Sequence, residues 1–85
     1  MITEREIKLQ NFMAWCNTNL LKWKPELTAE FENYYGTRRI VIRKLKGCEY
    51  FTSTVMSNVI KVADELVLSC FFEQIEGKVQ IEITI

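Results

Sequence analysis

Four glutamates and two arginines are the residues of this chain best placed to act together. Side chains two apart on a strand share a face. If the segments holding them are strands, Glu30, Glu32, Glu73 and Glu82 fall on one side of a sheet together with Arg39 and Arg43. Carboxylates held close in a cleft can divide acid and base roles when their environments push their pKa values apart. With two guanidinium groups on the same face, cross-strand ion pairing is the expected outcome instead of catalysis.

Other chemistry has little to work with. There is no histidine, which removes the usual general base, metal ligand and near-neutral switch together. Cys16, Cys48 and Cys70 are odd in number and lack the close pairing of a zinc site or a redox motif. They read as two core thiols and one loop thiol. The three glycines, Gly36, Gly47 and Gly77, stand singly, so no glycine-rich loop cradles a phosphate. We expect no catalytic residue, no bound cofactor and no metal, hence a protein that is not an enzyme.

A repeat organises the elements that must position these side chains. Residues 27–42 recur as residues 68–83, at an offset of 41. Leu27, Phe31, Glu32, Gly36, Ile40 and Ile42 reappear as Leu68, Phe72, Glu73, Gly77, Ile81 and Ile83. A fixed-offset echo of this kind points to a duplicated supersecondary unit.

The first element is a helix. Thr3 with Glu6 forms a capping box, and Leu9, Phe12, Met13, Cys16, Leu20 and Trp23 follow on one face. A thinner stripe of Ile7, Ala14 and Leu21 lies beside it, Trp15 points away from both, and Pro25 stops the helix. Residues 26–35 satisfy helix and strand patterns equally. The repeat decides for a strand, because its partner segment reads as a hairpin turning at Glu76-Gly77. The same register turns the first hairpin at Tyr35-Gly36 and sets Phe31 opposite Ile40, Ala29 opposite Ile42 and Glu32 opposite Arg39. Between the hairpins, Val55, Met56, Val59, Ile60, Ala63 and Leu66 mark a second helix from Thr54 to about Leu66.

The expected fold is therefore α+β, a two-layer αββαββ chain in one domain, 1–85, with repeat units of about 1–46 and 47–85. Two helices cover one face of a four-stranded antiparallel sheet, a circularly permuted ferredoxin-like plan if the hairpins interleave. The alternative, with residues 26–35 helical, is ααβαββ. The residues carry no motif of a named family.

The uncovered face holds Val41, Leu45, Phe71 and Ile75 among charged neighbours, which is more apolar than plain solvent contact requires. Apolar anchors rimmed by charge suit a protein partner or a second copy of the chain. The residues expected to bind it are Trp15, Tyr34, Arg39, Val41, Arg43, Phe71 and Ile75, with Trp15 as a separate anchor on the first helix. Nucleic acid is the rival, through Arg38, Arg39, Arg43, Lys44 and Lys46 beside Tyr34 and Tyr35. Zero net charge and four acids on the same face weigh against it. Charge is unevenly laid out, with seven bases against three acids in residues 22–46 and two against six from residue 47 onward. Halves of opposite sign can pair within one molecule or between two. No apolar run has the 18 or so residues of a membrane span, and the charged start lacks a signal region. We expect a cytoplasmic regulator, inhibitor or adaptor without a small-molecule substrate.

Overall fold

The computed structural model describes residues 3–44, 51–75 and 78–85. Helix α1 (Glu4–Trp15) runs through a π-helical turn (Cys16–Leu20) into a last α-helical turn, α2 (Leu21–Trp23). Strands β1 (Leu27–Tyr34) and β2 (Thr37–Lys44) follow, then α3 (Ser53–Glu65), β3 (Ser69–Ile75) and β4 (Lys78–Thr84). The fold is α+β, and residues 26–35 supply a strand.

Both main helices begin where the sequence supplies a cap. The Thr3 hydroxyl accepts from the Glu6 amide at 3.2 Å, and the Thr52 hydroxyl from the Val55 amide at 3.3 Å. Helix α3 ends in a Schellman arrangement, with the Leu68 amide donating to the Ala63 carbonyl at 2.8 Å and the Val67 amide to that of Asp64 at 3.0 Å.

The sheet is antiparallel with strand order β1-β2-β4-β3. The register inferred for the first hairpin is present, with Phe31 opposite Ile40, Ala29 opposite Ile42 and Glu32 opposite Arg39, and the second hairpin pairs likewise, with Phe72 opposite Ile81 and Cys70 opposite Ile83. Tyr35 and Gly36 form the first turn with φ of 50° and 78°, both left-handed as a two-residue hairpin requires. The second turn lies outside the described residues. The hairpins abut through β2 and β4 and do not interleave, while αββαββ remains a cyclic permutation of βαββαβ.

One core lies between sheet and helices. Leu9, Phe12, Cys16 and Leu20 from the first helix meet Val55, Val59 and Ala63 from α3 over Leu27, Ile40, Ile42, Ile81 and Ile83. Burial raises the Cys16 thiol to about 12 and the half-buried Cys70 thiol to about 11, so neither is a thiolate near neutral pH. Cys48 lies outside the described residues.

Trp23 leaves the stripe it was expected to share and is 48% exposed. The π turn is the reason, because its wider ring sets the helix back by about one residue, or about 100° of rotation. Cys16-Asn17-Thr18-Asn19 is a run of weak helix formers, and the Asn19 side chain donates to the Trp15 carbonyl at 3.3 Å. Among the described residues, no helix is long and apolar enough to cross a membrane.

Candidate interaction surface

On the face opposite the helices, five side chains close into a ring. Arg39 Nε donates to Glu32 Oε1 at 3.0 Å, and Arg39 Nη1 lies 3.3 Å from Glu82 Oε2. Gln80 Nε2 donates to Glu82 Oε2 at 2.6 Å, and Gln80 Oε1 accepts from Arg43 Nε at 3.1 Å. Arg43 Nη2 returns to Glu32 Oε2 at 3.0 Å. The ring follows from register, since Glu32 and Arg39 are a cross-strand pair, Val41 faces Glu82, and Arg43 lies two residues beyond Val41 on the same face.

The cross-strand ion pairing expected from the sequence is present, and much of it lies out of solvent. Arg39, Gln80 and Glu82 are buried. Hydrogen bonds from Arg39 and then Arg43 hold the Glu32 carboxyl below its ordinary range. Burial alone would lower the Arg39 guanidinium, but the Glu32 hydrogen bond and the charges of Glu82 and Glu32 outweigh it and raise its pKa. The Glu73 carboxyl is raised by hydrogen bonding with Glu82 and by that group's charge. Among the described residues, no buried side-chain nitrogen or oxygen lacks a partner.

The ring corrects the reading of Val41 and Arg39 as contact residues. Val41 is 0% exposed, lying between Arg39 and Arg43 along β2 and opposite Glu82 on β4, so it anchors nothing outside the molecule. Arg39 is spent on two carboxylates and also lies 3.9 Å from the Tyr34 ring centroid. Aromatic side chains project from this face beside exposed Glu30 and Glu73. Phe71 is 54% exposed, and exposed Tyr34 meets Tyr35 edge-on at 4.5 Å, with Tyr35 itself 91% exposed. Ile75 ends β3, and its side chain lies outside the described residues, as does Leu45.

Trp15 is not a free anchor either. It is half-buried against the core, 5.5 Å from the Phe12 ring. With Trp23, Lys22 and Asn58 it lines an open groove of about 530 Å³ beside the π turn. The basic residues proposed for nucleic acid are not brought together. Arg39 and Arg43 face the ring, while Arg38 and Lys44 alternate to the helix side, where Arg38 stacks 4.0 Å over Phe31. Lys46 lies outside the described residues.

Sequence reasoning missed Trp23 and Phe72 as exposed aromatics, and it named Tyr35 only beside the basic strand of the nucleic-acid alternative. Phe72 lies on the core face with Ile81 opposite, but β3 is an edge strand and leaves it 42% exposed. No family model, no curated protein and no solved structure matches this chain.

Proposed function

We propose that this chain is a small non-catalytic protein interaction module, acting as a regulator, inhibitor or adaptor in the cytoplasm by docking onto a protein partner. The observation that carries this reading is the finish of the uncovered face. Five of its polar side chains are already paired with one another in the ring, and Phe71, Tyr34 and Tyr35 stand exposed beside it. A face whose charges are fixed in advance loses little side-chain freedom on binding, and exposed aromatics are the side chains that most often carry interface energy. The module needs no cofactor or metal for that role. Occupying a partner's surface is mechanism enough.

The test is affinity capture from host lysate with immobilised protein, with and without nuclease, using wild type and Phe71→Thr. The expected result is a protein that is captured in the presence of nuclease and reduced at least fivefold by Phe71→Thr, corresponding to about 1 kcal/mol at an interface anchor. Capture that vanishes on nuclease treatment would instead support the nucleic-acid reading.

A further inference from the structure

The sheet has two edges, β1 and β3, and the duplication lets them be compared position by position, since β3 is the 41-residue copy of β1. Edge strands expose a row of unpaired backbone groups, and proteins blunt them with charge or cover. The first hairpin does both. β1 carries Glu30 and Glu32, Arg38 stacks on Phe31, and Arg39 stacks on Tyr34. The second hairpin has changed at the corresponding positions: Glu30 becomes Phe71, Arg38 becomes Val79 and Arg39 becomes Gln80. As a result β3 has one charged residue, Glu73, and an exposed phenylalanine on each face, Phe71 and Phe72.

We propose that β3 pairs antiparallel with β3 of a second copy of this chain about a two-fold axis at Phe71, giving one sheet continuous through two molecules. This rests on the interaction-module reading and names its partner. Such an axis lies normal to the sheet, so each face meets its own kind. Phe71 then stands opposite Phe71 of the copy, Phe72 opposite Cys70, and Glu73 opposite Ser69, with no like charges directly opposed. The charge pattern favours the β3 edge over the β1 edge. Centring β1 on itself at Glu30 or Phe31 opposes Glu30 to Glu30 or to Glu32. A contact of β3 with β1 is head-to-tail and makes a ring or a filament instead of a two-fold pair, and it sets Glu30 and Glu32 in the row shared by Phe71 and Glu73.

The experiment uses light scattering at about 100 μM, where even a weak interface of standard size is populated. Wild type is expected at twice the chain mass and Phe71→Lys at the chain mass. Lysine serves because it faces Glu82 within the molecule but itself across the axis. Circular dichroism checks its fold. A second arm survives a misfolded lysine variant: in a Cys48→Ser background, Phe71→Cys should cross-link to itself on mild oxidation, while Glu30→Cys, its counterpart on β1, should not. A monomeric wild type overturns the proposal, as does a dimer that persists in Phe71→Lys without cross-linking through Phe71→Cys. A monomer that still captures a protein through Phe71 removes the self-pairing alone and leaves the wider reading in place.

Discussion

Gly36 and Val67 adopt the same left-handed backbone with opposite residue types, at φ of 78° and 57°. An added Cβ at Gly36 meets nothing within 4 Å, so Gly36→Val loses only what the conformation costs, about 1–2 kcal/mol. Val67 bears that cost already, at a helix end where glycine is the usual occupant. Val67→Gly is expected to raise stability by up to about 1 kcal/mol, the relief being partly offset by a freer unfolded chain. Thermal melts of the two variants should move in opposite directions. The arginines of β2 separate in the same way. Arg39→Ala leaves Glu82 and Glu32 without their shared partner and should cost about 2–3 kcal/mol, whereas Arg38→Ala removes only a stacking contact and should cost under about 1 kcal/mol. The Glu32 carboxyl has a folded pKa below its ordinary 4.5. Its contribution is therefore present above that value and lost as pH falls through the folded one. Urea midpoints at pH 7 and pH 3 should show a smaller acid loss in Glu32→Gln than in wild type, and equal losses would refute the assignment.

At the scale of elements, the π turn decides which tryptophan meets water. Single-tryptophan variants test this, because Trp15→Phe leaves exposed Trp23 and Trp23→Phe leaves half-buried Trp15. Acrylamide should quench Trp15→Phe at least twofold more strongly, and equal quenching would argue for an uninterrupted α-helix that returns Trp23 to the core. The contrast also marks where the sequence could be read and where it could not. The hairpin registers were legible because alternation and the 41-residue offset constrain each other, so Glu32 opposite Arg39 followed from Phe72 opposite Ile81. Helical phase beyond Cys16 was not legible, since periodicity assumes one rotation per residue throughout. The burial of Val41 was hidden for another reason. Face assignment says which way a side chain points, and only the joint geometry of five long polar neighbours says that it is enclosed. Phe72 shows the converse, a residue on the core face that stays half in water because its strand is at the edge.

At the scale of the whole molecule, zero net charge coexists with a strongly basic middle segment, and what that means for nucleic acid depends on where the bases point. Strand alternation sends Arg38 and Lys44 to one side of the sheet and Arg39 and Arg43 to the other. On the ring side, Glu32 and Glu82 already neutralise both arginines, and Glu30 and Glu73 add further negative charge. A phosphate approaching this face would have to displace Glu32 or Glu82 from Arg39 and leave a carboxylate without its partner. Binding to single strands draws its affinity from counterion release, which free cations supply and paired ones do not. Random single-stranded RNA is therefore expected to bind with a Kd weaker than about 100 μM at physiological salt, measured by fluorescence anisotropy. Arg39→Glu/Arg43→Glu should leave that weak signal unchanged once circular dichroism confirms a folded variant. Micromolar binding that falls steeply with added salt and disappears in the double variant would mean that the ring opens to release its arginines, and the uncovered face would then be a nucleic-acid platform.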